Sequence, residues 1–258
     1  GISPIRFHAK EGYGIGQVLV DNSQGSPSLL RISGHLENFD AATIYQEMLE
    51  HRGLVTGTLR SDFYLQGRTG KDFLATSLGG INLEIHKGVL RQLKTLSRVF
   101  SLLNVSQIFS LQLPDMAEEG MPFNKLHTSI SLDQGVLSTE DLVIDSNAMN
   151  LSLVGRYSLI DDRLNLTLGI KPLGTVDKIV SSIPLAGWLL TGEDKALVTA
   201  QFKVEGSGKD PEVSAIPITS VSDTVLGIFK RTLGLPGKVI TDLESLGTSE
   251  TKGDRDGE

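Results

Sequence analysis

From Phe123 to Asp210 apolar and polar side chains alternate in run after run. Leu126, Thr128, Ile130 and Leu132 alternate with His127, Ser129, Ser131 and Asp133. Met149, Leu151 and Leu153 alternate with Asn150 and Ser152, and Leu164, Leu166, Leu168 and Ile170 with Asn165, Thr167 and Gly169. Val198, Ala200, Phe202 and Val204 alternate with Thr199, Gln201, Lys203 and Glu205. Period two places each set on one side of an antiparallel strand, with one dry face and one wet face. If the runs join in one meander, Ile130, Leu132, Leu151, Leu153, Leu166, Leu168, Phe202 and Val204 share a concave apolar surface. A one-residue bulge would turn part of that surface over.

Other patterns fill in the chain. Residues 3–38 read as three short strands with turns at Glu11-Gly12 and around Asn22 to Pro27. Residues 40–52 read as a helix with Asp40 as N-cap, an Ile44, Met48 and Leu49 stripe, and Gly53 as its stop. Residues 55–67 return to strand, Asp72 to Ser77 fit one helical turn, and Ile81 to Ile85 form a strand. Helical spacing recurs over 91–112 (Leu93, Leu96, Val99, Phe100, Leu103), over 175–191 (Val176, Ile179, Val180, Ile183, Trp188, Leu189) and in two short helices over 221–245. Leu83 to Leu90 and Ile130 to Leu137 are similar: each is an alternating strand running into x-x-Gly-Val-Leu, a strand–turn–strand signature, read either as two copies of a repeat or as chance similarity between two hairpins.

The fold class expected is mainly β with peripheral helices (α+β): a long, curved, repeat-like antiparallel sheet forming an apolar groove, with C-terminal helices. The organisation expected is a preceding β segment with one helix over 1–55 and a β-groove region over 56–218. Amphipathic capping helices over 219–245 and a polar, disordered tail over 246–258 complete it.

Composition narrows the partners. With 258 residues the chain is long enough for one large β domain or two ordinary ones. A net charge of −7 without any basic run gives no footprint for nucleic acid. Cysteine is absent, which removes disulfides and thiolate metal sites. The chain opens on Gly1, enters a strand-like pattern at once, and has no apolar run of about 20 residues to span a bilayer. This pattern reads as the C-terminal piece of a longer protein, the alternative being a whole soluble protein with a trimmed start.

Catalytic chemistry is not evident. His8, His35, His51, His86 and His127 lack metal-ligand spacing. Gly206-Ser207-Gly208-Lys209 lacks the first glycine and the final Ser/Thr of a phosphate loop, and reads as a strand-ending turn. Gly14-Ile15-Gly16 is too short for a dinucleotide fingerprint, and no Gly-x-Ser-x-Gly elbow occurs. Asp161-Asp162 fits a hairpin turn and Glu118-Glu119 a loop, where paired acids are solvated. The expectation is a protein that is no enzyme and carries no cofactor or metal.

A set of ordered motifs carries a family resemblance. It runs through Pro122-Phe123-Asn124-Lys125-Leu126 and Leu132-Asp133-Gln134-Gly135-Val136-Leu137-Ser138-Thr139-Glu140-Asp141-Leu142. It continues through Leu151 to Gly155 and Tyr157 to Leu166, and closes with Phe202-Lys203-Val204-Glu205-Gly206 and Asp210-Pro211-Glu212-Val213. From Gly57 to about Pro217 the chain resembles the C-terminal region of the AsmA-like family of Gram-negative envelope proteins, which includes the YhdP and TamB types. The family's N-terminal membrane anchor has no counterpart here.

The resemblance implies long curved β-sheets with an apolar groove, and a role in moving phospholipid across the periplasm or in outer-membrane assembly. It implies a periplasmic location as the C-terminal part of an inner-membrane-anchored protein. Phospholipid acyl chains are the implied partners, together with outer-membrane or envelope proteins at the C-terminal end. On this reading the groove is lined by Ile130, Leu132, Met149, Leu151, Leu153, Leu164, Leu166, Leu168, Ile170, Val198, Ala200, Phe202 and Val204. The alternative is a structural or assembly module whose apolar face is closed core. What separates the two is whether an apolar surface stays open once the chain has packed.

Overall fold

The computed structural model describes residues 5–9, 12–23, 25–44, 55–91, 120–147, 149–172, 188–191 and 197–216. Alternation over long runs gives long strands, and twelve of them form a single antiparallel sheet. The first five are β1 (Ile5–Ala9), β2 (Gly12–Asp21), β3 (Leu29–Asp40), β4 (Thr58–Arg68) and β5 (Leu78–Leu90). Next come β6 (Met121–Asp133), β7 (Val136–Asp145), β8 (Met149–Ser158) and β9 (Arg163–Pro172). The last are β10 (Trp188–Thr191), β11 (Leu197–Gly206) and β12 (Pro211–Ala215). β1 to β9 lie in chain order, each hydrogen-bonded to the next. β11 follows β9, and its far edge is shared by β10 over Leu197 to Ala200 and by β12 over Phe202 to Gly206. The mainly β expectation holds, in one sheet that crosses the whole described chain.

The tight turns follow local chemistry. Gln134 and Gly135 join β6 to β7 with φ of 48° and 79°, the two left-handed positions of a type I′ hairpin, which glycine takes without strain. The companion segment behaves differently, which corrects the strand–turn–strand reading there. Gly88 lies inside β5, paired with Phe123 of β6. Lys87 has φ 51° and kinks the strand without reversing it. A Cβ on Gly88 would collide with the Thr56 carbonyl and the Phe123 ring, so this glycine serves close packing.

Asp40 caps the chain as expected: its Oδ1 accepts the Ala42 N–H at 3.1 Å, and residues 41–44 are helical. The turn expected between Asp72 and Ser77 is a 3-10 helix over Leu74–Thr76. Trp188 and Leu189, read as helix, instead belong to β10 and pair with Ala200 and Thr199. The open edge of β11 offers them backbone partners, and bulky apolar residues suit a strand. The expected helix over 40–52 beyond residue 44, those over 91–112 (apart from Arg91), 175–191 (apart from β10) and 221–245, and the expected tail over 246–258 lie outside the described residues.

Bulges shape the sheet. Register shifts fall between Leu36 and Phe39, between His127 and Ile130, and between Thr139 and Leu142. At the first and the last, a step of three residues on one strand faces a step of two on its partner, so Leu36 and Phe39 keep to one face, as do Thr139 and Leu142. Such bulges bend strands and sharpen twist.

At the β6–β7 bulge the ladder opens and the Asp141 carboxylate fills the gap. Its Oδ1 accepts the Ser129 N–H at 2.7 Å and the Thr139 hydroxyl at 3.2 Å. Asp141→Ala would leave the Ser129 amide without its acceptor. We expect a loss of about 1–3 kcal/mol, read as a lower urea midpoint with an unchanged slope.

Candidate functional site

Strand register gathers the apolar side chains into rows that run across the strands on one face. The innermost row is Phe39, Leu59, Ile85, Leu126, Ile144, Leu151 and Ile170, each directly opposite the next. A second row runs Leu36, Ser61, Leu83, Thr128 and, past the bulge, Leu142, Leu153, Leu168 and Phe202. A third runs Gly34, Phe63, Ile81, Ile130, Thr139, Gly155, Leu166 and Val204. The outermost runs Val18, Ile32, Leu65, Gly79, Leu132, Leu137, Tyr157 and Leu164.

All thirteen groove residues named from sequence therefore lie on this one face. Val198 and Ala200 are placed by register alone, opposite Leu190 and Ile170.

Burial divides the face in two. Met149 and Ile170 are fully buried, and Leu151, Leu168, Phe202 and Val204 are nearly so, at 1–4% exposure. These six belong to one hydrophobic core together with Phe39, Leu59, Ile85 and Leu126. Ile130, Leu132, Leu153, Leu164 and Leu166 are only half-buried. The open part extends beyond the residues read from sequence, through half-buried Ile32, Phe63 and Leu65 to Ile81 (40% exposed), Val18 (39%) and Val20 (58%). Glycines at 16, 34 and 79 interrupt the alternation in these strands and hid their common phase. The outer two rows thus form an apolar strip crossing eight strands, β2 to β9. At about 4.8 Å per strand spacing its length is about 34 Å.

The opposite face is polar over β2 to β7. Its polar groups pair: the His35 ring with Asp62 across to β4 (2.7 Å) and with Glu37 along its own strand (3.3 Å), and Lys125 with Glu84 across to β5 (2.9 Å). The Lys125 ammonium and the His86 ring beside Glu84 hold its carboxyl below the usual range. A hollow of about 1080 Å³ is bounded by polar residues, among them Gln17, His35 and Asp62, and by apolar ones, among them Ile15, Phe63 and Ile130. Exposed ion pairs of this kind contribute little to stability. Over β7 to β11 this face is buried too, at Val143, Ser152 and Gln201. Asn150 Oδ1, Ser152 Oγ and Gln201 Oε1 there have no hydrogen-bond partner among the described residues.

One polar clasp fixes the outer row at its β8–β9 end. Asp162, with φ 50°, accepts the Tyr157 hydroxyl at 2.8 Å, the Ser207 hydroxyl at 2.5 Å and the Gly208 N–H at 3.0 Å. The β8–β9 and β11–β12 turns are thereby tied together. These hydrogen bonds, the Ser207 bond foremost, hold the Asp162 carboxyl below the ordinary range, and the bond to Asp162, followed by burial, raises the Tyr157 hydroxyl.

The linkage has a definite sign. A carboxyl with a depressed folded pKa stabilises the fold above the unfolded value, near 4, and that contribution fades as pH falls through the folded value. The stability gap between the protein and Asp162→Asn is expected to be largest at neutral pH. It should shrink below about pH 4, as measured by urea unfolding at stepped pH.

Among the described residues no cluster of His, Asp and Glu could hold a metal ion, and no helix is long and apolar enough to cross a membrane. Asp161-Asp162 and Gly206 to Lys209 are turns, as read from sequence.

A long open antiparallel sheet with one aliphatic face, running through ordered glycine-ended strands, is the architecture the sequence motifs implied. The family model described as YhdP protein matches residues 17–213, spanning β2 to β12. The chain belongs to the YhdP family, an AsmA-like family of envelope proteins. No curated protein and no solved structure matches it.

Proposed function

We propose that the protein shields phospholipid acyl chains on the open strip of its apolar face. It would do so as a segment of a lipid-transfer path through the periplasm, between inner and outer membrane. The observation that carries this reading is the half-exposed strip itself. Seven of its eight neighbouring strands contribute aliphatic side chains in register, β8 giving Gly155 and Tyr157, and no charged side chain stands in its rows. Each methylene laid on such a surface contributes roughly 0.8 kcal/mol. A chain of a dozen or more is held firmly in sum yet weakly at each point, which suits sliding. Membership of an envelope family supports the same assignment. On this reading the protein is no enzyme, and it works as part of an inner-membrane-anchored assembly whose C-terminal end meets envelope proteins.

A second reading draws on the six buried residues from Met149 to Val204. They make part of the face ordinary core, and an assembly module acting through protein contacts needs no more than that.

The two readings part on a binding measurement. A phospholipid with an NBD-labelled acyl chain should brighten and saturate on titration with micromolar protein, and unlabelled phospholipid should displace it. A flat titration favours the assembly module.

A further inference from the structure

Exposure along the strip is not uniform from strand to strand. At the β1–β2 side aliphatic groups stand open: Ile5 is 54% exposed, Val18 39% and Val20 58%. Half-burial continues through Ile130 to Leu166. At β11 the second and third rows close, on Phe202 and Val204, each 1% exposed, and beyond them β12 carries only exposed Ala215 and half-buried Val213. The sheet ends one strand further on. β10 and β12, four and five residues long, share the outer edge of β11, and short edge strands of this kind stop a sheet from growing.

The outermost row behaves differently. It stays half-exposed to Tyr157 and Leu164 and then meets Gly206, which has no side chain. Beside Tyr157 the β8–β9 turn carries Leu159 and Ile160, 36% and 54% exposed. That turn is held in place. The Leu159 N–H donates to the Gly135 carbonyl at 2.9 Å, Ile160 packs over Gly135, and the Asp162 clasp fixes its far side. Exposed aliphatic groups on a pinned turn, contiguous with an apolar strip, mark a surface that meets something apolar.

We infer that the strip is one-ended: acyl chains reach it from the β1–β2 side, are stopped at Phe202 and Val204, and leave sideways over Leu159 and Ile160. The inference rests on the lipid-shielding reading and adds a direction and an exit to it. The Tyr157–Asp162–Ser207 clasp is then a positioning device that holds the exit turn level with the strip.

The test places a benzophenone amino acid, one site at a time in the full chain, at three exposed positions. Ile81 lies on the strip and Ile160 on the exit turn. Ala215 stands beyond the stop, on β12 opposite Phe202 and exposed. After irradiation in a Gram-negative host, lipid adducts are read by mass spectrometry. Adducts at Ile81 and Ile160, with at least tenfold less at Ala215, are the expected result. Adducts at Ala215 as strong as those at Ile81 would overturn the stop and leave the lipid reading standing. Adducts at Ile81 alone would overturn the side exit. Adducts at none of the three positions would overturn the lipid reading and this inference with it.

Discussion

Phe202→Ala is expected to be among the most destabilising single truncations in the chain, at about 3–5 kcal/mol. The side chain is 1% exposed and lies in the hydrophobic core. It stands opposite Leu168 on one side and Ala215 on the other. Removing the ring takes away its transfer free energy and leaves a cavity that three neighbouring strands, fixed by their ladders, cannot close. The loss appears as a lower denaturant midpoint with the slope retained. A change below about 1 kcal/mol would mean that the face is loosely packed here and that the division into closed and open parts is wrong. For the same reason, a charge at Leu168, which is 4% exposed, is expected to unfold the sheet and so cannot report on lipid.

Ile81→Asp gives the opposite result: a folded protein that has lost its lipid. Ile81 is 40% exposed, so the carboxylate keeps its water in the free protein and the strands stay paired. Once an acyl chain covers the strip, that charge must lose water against methylenes, which costs several kcal/mol. Bound lipid is expected to fall by at least tenfold, which corresponds to about 1.4 kcal/mol, while the urea midpoint moves little. Leu132→Asp, in the next row out and half-buried, should act likewise with a larger loss of stability. Normal lipid binding by both folded variants would remove the strip from the lipid path.

The strands β6, β8, β9 and β11 were legible because alternation is a backbone property: period two survives any tertiary context that wets one face. Face assignment across strands was legible for the same reason, since antiparallel partners stand on one side. The bulges were not. Nothing in Ser138 to Leu142 announces an extra residue until Asp141 is seen accepting the Ser129 amide, 12 residues away in sequence. Gly88 misled for a related reason. A glycine after an alternating strand fits both a turn and a close approach, and only the Thr56 carbonyl and the Phe123 ring decide between them.

The candidate surface was legible as a face and not as a site. Met149 and Leu153 follow the same alternation, yet the first is fully buried and the second half-open. Alternation gives the face on which a side chain stands and not how far it is covered. The extension of the strip through Ile32, Phe63 and Ile81 escaped notice because Gly34 and Gly79 stand where the pattern calls for an apolar side chain.

The central claim, that this face carries acyl chains, is tested most directly by extracting the purified full chain with organic solvent. The extracted lipid is then quantified by mass spectrometry beside the Ile81→Asp variant prepared in parallel. The account predicts phospholipid in near-stoichiometric amount from the parent and at least tenfold less from the folded variant. Equal lipid from the two, or none from either, would contradict it.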